Sequence, residues 1–228
     1  MKVLVIDVGG TNVKLAVTGV EESRKAPSGP DLTPQLMVER VKEAIKDWYF
    51  DAISVGFPAP VVRGQVQAEP ANLAPGWVGF DFAAAFGKPV KVINDAAMQA
   101  LGSYEGGRML FMGLGTGLGT ALIIDNAVAP LELAHLPYRK KQTYEDYLGE
   151  RGLRRWGRKK WQVFLEDVVE RFKRAFVVDY IVLGGGNSKK LLRLPPHTCA
   201  GDNRNAFAGG FRLWEMNEQT QQHRFGSA

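Results

Sequence analysis

Val5-Ile6-Asp7-Val8-Gly9-Gly10-Thr11-Asn12-Val13-Lys14-Leu15-Ala16-Val17 has a later echo in Phe111-Met112-Gly113-Leu114-Gly115-Thr116-Gly117-Leu118-Gly119-Thr120-Ala121-Leu122-Ile123. Each stretch is an apolar run, a Gly/Thr turn and a second apolar run. That pattern reads as a β-hairpin whose tight turn exposes backbone N–H groups. Its recurrence points to two related halves, each opening on a hairpin; the alternative is coincidence between two glycine-rich turns.

Helix and strand signals alternate between and beyond these hairpins. Met37, Val41, Ala44, Ile45 and Trp48 recur at helical spacing, predicting an amphipathic helix over 34–49. Ala52 to Phe57 reads as a buried strand ending at Pro58, and Val90 to Ile93 as another, with Asn94-Asp95 at its C-terminal end and a helix over 95–104. Trp161, Phe164, Leu165, Val168, Val169, Phe172 and Phe176 mark a long helix with a broad apolar face. Asp179 to Leu183 is a strand running into Gly184-Gly185-Gly186, and a last helix starts near Asn205 with Ala206, Gly209 and Gly210 on its close-packed side. The expected class is α/β, two lobes with a cleft between them. The expected divisions are 1–94 for the first lobe, 95–214 for the second and 215–228 for a polar, frayed tail.

The chain has 228 residues, 45% hydrophobic and 23% charged, enough to bury a core and unlike a disordered, collagenous or coiled-coil chain. A lone cysteine, Cys199, excludes an internal disulfide framework and a Cys-pair zinc site. No apolar run approaches the ~20 residues of a membrane helix, and Asp7 interrupts the apolar start, so the expected compartment is cytoplasmic, away from membranes. The net charge of +5 is unevenly spread: Arg151, Arg154, Arg155, Arg158, Lys159 and Lys160 fall close together, shortly after Arg139, Lys140 and Lys141. Such a run attracts polyanions.

Three glycine-rich turns follow strands: Gly9-Gly10-Thr11, Gly115-Thr116-Gly117 and Gly184-Gly185-Gly186. Glycine permits positive φ and close approach of a ligand, and successive N–H groups can cradle phosphate oxygens. The spacing fits neither a P-loop nor a dinucleotide fingerprint. Asp7, two residues before the first turn, could hold Mg²⁺ through water. Asp95, at a strand end, could accept the proton of a hydroxyl attacking phosphorus, although Asn94-Asp95 alone would read simply as a helix cap.

The ordered set Asp7-Val8-Gly9-Gly10-Thr11, Gly56-Phe57-Pro58-Ala59, Asn72, Asn94-Asp95-Ala96, Gly115-Thr116-Gly117-Leu118-Gly119, Glu132-Leu133-Ala134-His135 and Gly184-Gly185-Gly186 resembles the ROK family of sugar kinases. That family lies in the superfamily of actin and hexokinase, and the nearest likeness is to its polyphosphate glucokinase branch. The resemblance spans Lys2 to about Leu213. It implies the two-lobed actin-like (ribonuclease H-like) fold with duplicated halves, a homodimer, Mg²⁺, and phosphoryl transfer from polyphosphate or ATP to the 6-hydroxyl of a hexose such as glucose. By match to the family motifs Asp95 resembles the base, and Asn72, Asn94, Glu132 and His135 the ligands of sugar hydroxyls. Glu145 resembles a later sugar-binding glutamate, with Glu150 a less favoured substitute. A sugar offers many hydroxyls, so converging Asn, Asp, Glu and His side chains suit it. A lone His135 would read as a buried structural histidine; Glu132 three residues earlier reverses that preference.

The sequence departs from the family pattern in three places. Ala134 stands where Glu-x-Gly-His has glycine; the His and three cysteines of the family's zinc cluster are missing, so no structural zinc is expected; and the stretch from Gly186 to Asn205, broken by Pro195 and Pro196, is short where relatives cover adenine. The family's repressors carry an N-terminal helix-turn-helix, whereas here the first hairpin begins at residue 3. Polyphosphate, a polyanion without a base, suits the basic run, with Arg154, Arg155 and Lys159 as donor contacts. The same run could be a solvated face or bind RNA, for which Trp156 and Trp161 are thin stacking support. The rivals are an ATP-dependent kinase of another hexose or amino sugar, and a non-catalytic sugar-binding protein on the same fold.

Overall fold

The computed structural model describes residues 1–202 and 204–224. The chain divides into two compact units, Met1–Met98 with the segment from Ala206 onward, and Gln99–Asn205.

In the first unit β1 (Val3–Val8) and β2 (Asn12–Val17) form the expected antiparallel hairpin, and β3 (Arg24–Pro27) extends it. Helix α1 (Pro34–Ala44) crosses to β4 (Ala52–Phe57), which lies parallel to β1. A small hairpin, β5 (Val61–Val62) with β6 (Gln65–Val66), and the short α2 (Phe82–Phe86) precede β7 (Val90–Asn94). The sheet order is β3-β2-β1-β4-β7. β1 and β4 are buried along their whole length because central strands are covered on both faces, and only Asp7 and Ser54 interrupt their apolar runs. Alternation along β1 sends Leu4, Ile6 and Val8 into a core with α1 and Trp77, and Val3 and Val5 into a second core with Met98. Helix α1 begins where Thr33 accepts a bond from Leu36 N–H and Pro34 fits the first turn. It stops at Ala44; Ile45 and Trp48 still pack on the core, so core-facing spacing outlasts the helix.

Helix α3 (Asp95–Ser103) leads from the first unit into the second. There β8 (Arg108–Leu114), β9 (Leu118–Ile124) and β10 (Ala127–Leu131) form an antiparallel meander. A 3₁₀ turn at Leu133–His135 and a hairpin of β11 (Pro137–Arg139) and β12 (Gln142–Thr143) follow, then α4 (Tyr144–Leu148) and α5 (Glu150–Phe176). β13 (Tyr180–Gly184) returns parallel to β8, a 3₁₀ turn spans Gly186–Lys190, and β14 (Thr198–Ala200) completes the order β10-β9-β8-β13-β14. Strand for strand this repeats the first sheet, so the matched hairpins belong to matched sheets. Gly157, at φ 69° and ψ 162°, breaks the helical path of α5. The apolar stripe recognisable in the sequence begins only beyond this break, at Trp161.

Helix α6 (Asn205–Arg224) belongs with the first unit rather than the second, where the sequence reading put residues up to 214. The reason is packing: Phe207, Phe211 and Trp214 lie against the Val3, Val5 and Met98 core. A Cβ on Gly210 would meet Val5 Cγ2 at 2.6 Å, so glycine permits the close approach. Ser54 Oγ, fully buried on β4, donates to Gly210 O at 2.6 Å and accepts from Trp214 Nε1 at 3.0 Å. The helix runs on to Arg224 through most of the stretch expected as a frayed tail; residues 225–228 lie outside the described residues.

Candidate functional site

The turn between β1 and β2 carries the first group of residues. Asp7 and Lys14 face each other across the hairpin, where cross-strand pairs interact. Lys14 Nζ lies 2.9 Å from Asp7 Oδ2, with Asp7 buried. Lys14 thus joins the site; the hairpin register implied by the sequence would have placed it opposite Asp7. One carboxylate oxygen is engaged by the ammonium, which leaves the other for a hydrated Mg²⁺, a cation that keeps several waters and needs few carboxylates. Neither Gly9 nor Gly10 has positive φ. What their missing side chains provide is space: a Cβ on Gly9 would sit 3.0 Å from Asn12 O, and one on Gly10 3.6 Å from Asn72 Cβ. Asn72 is therefore beside the first turn. Its loop is held by Glu69, missed in the sequence, whose carboxylate accepts from the N–H groups of Gly76, Trp77 and Val78 at 3.0, 3.1 and 3.2 Å.

Asn94 and Asp95 stand where the sequence puts them, at the end of β7 and the start of α3. Asn94 is the capping residue: its Oδ1 accepts from Ala97 N–H at 3.2 Å, and its Nδ2 donates to Ala59 O at 3.3 Å. Asp95 Oδ1 accepts from Ala96 N–H at 2.8 Å. The helix N-terminus, with its partial positive charge, stabilises the carboxylate.

The second unit gathers the other residues around the β8–β9 turn. Gly115 N–H bonds to Gly117 O at 3.1 Å, and neither glycine has positive φ. The turn rests on the chain after β12: Glu150 N–H donates to Gly115 O and Thr116 O, Asn187 Nδ2 to Gly115 O at 2.9 Å. Glu145 Oε2 accepts from Leu118 N–H at 3.2 Å, and a Cβ on Gly117 would meet Glu145 Cδ at 3.1 Å. The capping box of Thr143 and Asp146 starts α4 and so places Glu145 in its first turn. Glu150 is tied to Arg154 Nε at 2.9 Å and Lys190 Nζ at 3.4 Å, which depresses its carboxyl and leaves Glu145 the freer of the two.

Thr120, buried on β9, donates to Leu131 O at 2.8 Å and accepts from Leu133 N–H at 3.4 Å, fixing the start of the segment with Glu132 and His135. His135 Nε2 lies 3.8 Å from Glu132 Oε2, and the imidazole is 71% exposed, so it is no buried structural histidine. Burial raises the Glu132 carboxyl, the His135 side chain opposes that shift and the Glu145 carboxylate adds to it. Ala134 sits in an ordinary 3₁₀ turn without positive φ, so nothing there requires glycine. Glu132, His135 and Glu145 thus come together in one unit with the Gly115–Gly117 turn.

The third glycine turn has other reasons for its composition. A Cβ on Gly184 would strike the Phe111 ring at 2.6 Å, and Gly185, at φ 81°, would bring one within 2.7 Å of Leu114 N. Gly186 has open space. On α5, Arg151 is paired with Asp146 and Arg154 with Glu150, while Arg155 lies 4.7 Å and Lys160 4.4 Å from the Trp156 ring centre. Arg158 Nε donates to Lys190 O at 2.8 Å, joining the basic run to the turn after Gly186. Among the described residues no three His, Cys, Asp or Glu side chains converge as metal ligands, and no helix is long and apolar enough to cross a membrane.

Duplicated sheets, each opening on a hairpin with a glycine turn, define the class as the actin-like fold. The chain belongs to the ROK family, whose sequence model matches residues 3–130. Among solved structures, the inorganic polyphosphate/ATP-glucomannokinase of Arthrobacter sp. strain KM is similar at 25% identity and TM-score 0.80, covering 95% of this chain and 99% of that one. A ROK family protein of Streptococcus pneumoniae in complex with sucrose is 17% identical, with TM-score 0.77 and coverage of 96% and 100%. A ROK family glucokinase of Streptomyces griseus in complex with glucose and AMPPNP is 16% identical, with TM-score 0.73 and coverage of 93% and 99%. No curated protein sequence matches the chain.

Proposed function

We propose that the chain is a sugar kinase that moves a phosphoryl group from polyphosphate or ATP to the 6-hydroxyl of glucose. The observation that carries this reading is the grouping of Glu132, His135 and Glu145 beside the Gly115–Gly117 turn. These are side chains able to bind hydroxyls, next to backbone suited to phosphate. Asn72 and Asn94 would add sugar contacts. Asp95 takes the proton of the attacking hydroxyl while the O6–P bond forms and the donor's terminal P–O bond breaks, leaving ADP or a shorter polyphosphate. Gly9, Gly10, Thr11, Gly115, Thr116, Gly117 and Gly186 bind phosphate oxygens through their backbone; Lys14, released from Asp7, can add its charge. Asp7 would hold Mg²⁺ through water, and the ion would supply charge neutralisation on the donor. The protein would act as a homodimer without structural zinc.

Arg154, Arg155 and Lys159 make polyphosphate the favoured donor, supported by the Arg158–Lys190 link between the basic run and the third turn. A second reading, an ATP-dependent kinase of another hexose or amino sugar, is favoured by the pairing of Arg151 and Arg154 with acidic neighbours, which marks part of the run as a solvated face. A panel of ATP, GTP and polyphosphate with glucose, mannose and N-acetylmannosamine, scored for sugar 6-phosphate, separates them. No product with any pair would leave the non-catalytic binding protein.

A further inference from the structure

Residues 133–145 form one short arm with a proposed sugar ligand near each end, and its geometry is set from outside the proposed chemistry. The arm runs from the 3₁₀ turn through β11 and β12 to α4, closed by Tyr144 N–H on Leu136 O at 3.2 Å. Its tip, Lys140-Lys141, has two consecutive positive φ values, 49° and 60°. A two-residue hairpin turn wants that conformation, but lysine adopts it at a cost. Something else must therefore hold the arm in register.

Tyr138 occupies the middle of β11. Its ring stacks on Tyr144 at 4.9 Å and 23° and meets Tyr147 edge-on at 5.0 Å. Its hydroxyl donates to Asp167 Oδ2 on α5 at 2.5 Å. Arg139 Nη2 at 3.0 Å and Arg171 Nε at 2.9 Å donate to the same oxygen. Burial pushes the Asp167 carboxyl up, but the bonds from Arg171, Tyr138 and Arg139 outweigh it and bring it down to about 2. Burial and the adjacent carboxylate hold the Tyr138 hydroxyl above its ordinary range, so it stays a donor.

We propose that Tyr138 and Asp167 are positioning residues for sugar: bolted to α5, Tyr138 fixes the separation of Glu132 and His135 from Glu145. This rests on the sugar-kinase reading above. Hydroxyl ligands must be held within about 0.5 Å of their productive places, and an unclamped arm would have to be ordered at each binding event.

The test compares the parent with Tyr138→Phe, which keeps the stacked ring, Asp167→Asn, which keeps the shape, and the double variant. Arg174→Gln, which breaks an exposed ion pair on the same helix, is the control. Each single variant should raise KM for glucose about tenfold, with kcat and donor KM within about twofold, and the double should match the singles because one clamp is lost either way. Amide exchange over 136–144 should quicken at least about tenfold while β8 and β9 keep their protection. Unchanged glucose KM in both variants, or a fall of kcat and thermal stability together with a rise of both KM values, would overturn the positioning role. If the parent phosphorylates no sugar, the function reading fails; unchanged exchange over 136–144 would independently remove the clamp.

Discussion

The β1–β2 and β8–β9 hairpins open sheets of identical strand order, yet they bring opposite materials to their turns. At the position where the first has Asp7, paired with Lys14, the second has Gly113, packed 3.2 Å from the Phe111 ring by the measure of an added Cβ. The first turn is flanked by charge on its own strands. The second has none there and borrows it from Glu145, beyond β12. The pairing also differs: Val8 faces Val13 across the first turn, Leu114 faces Leu118 across the second, so the second loop is one residue tighter. The duplicated backbone thus fixes where two turns lie, and the chemistry comes from side chains that the duplication does not share.

The sharpest way to break this contrast is to remove the charges of the first unit. Asp95→Asn should lower kcat at least about 100-fold, the scale of a lost general base, with KM for sugar little changed; near-parental turnover would exclude it as the base. Next comes the third turn, whose glycines separate packing from binding. Gly185→Ala should cost about 3 kcal/mol in urea unfolding, from positive φ and the clash with Leu114. Gly186→Ala should cost under about 1 kcal/mol, and equal costs would cancel the distinction. In the second unit, His135→Ala should raise KM for glucose about tenfold, the value of one hydrogen bond to a charged or polar partner; KM and turnover both unmoved would place the sugar elsewhere.

Reversing charge at Arg154, Arg155 and Lys159 should weaken polyphosphate use by about 1 kcal/mol per lost phosphate contact, less as salt rises, and leave ATP use nearly intact. Equal effects on the two donors would mark the run as a solvated face. The smallest effect concerns Glu132. Folding raises its pKa, so its protonated form favours the folded state: that contribution is present below the ordinary 4.5 and lost as pH rises through the raised value. At neutral pH Glu132→Gln should therefore raise Tm slightly while raising KM for sugar. A lower Tm would show that the ionised carboxylate is not held against its own preference.

Hairpins, buried strands and glycine turns were legible because each is a local pattern: alternation, an apolar run, a break. Asp95 at the end of β7 followed from the same patterns, and Glu145 was picked out by family resemblance alone, without the short helix that carries it. Edge strands β3, β10 and β14 were not legible, being short and mostly exposed or half-buried. Neither was the first part of α5, where Gly157 interrupts the spacing and basic residues replace the apolar stripe. Lys14, Glu69, Thr120 and Asp167 act through partners seven or more residues away (Asp167 with Arg171 nearby as well), and only the folded chain brings these together. Chain continuity alone points residues 206–214 to the second half, whereas Gly210 and Trp214 pack on β1 and β4.

That last attachment sets an order of events during synthesis. The second unit is contiguous in the chain and can close as soon as Asn205 is available, but the first stays without one cover of its sheet until α6 has left the ribosome. Val3 and Val5, on the first strand, wait longest for their neighbours. A nascent chain halted before residue 206 should hold a protease-resistant second half beside a first half still open to chaperones.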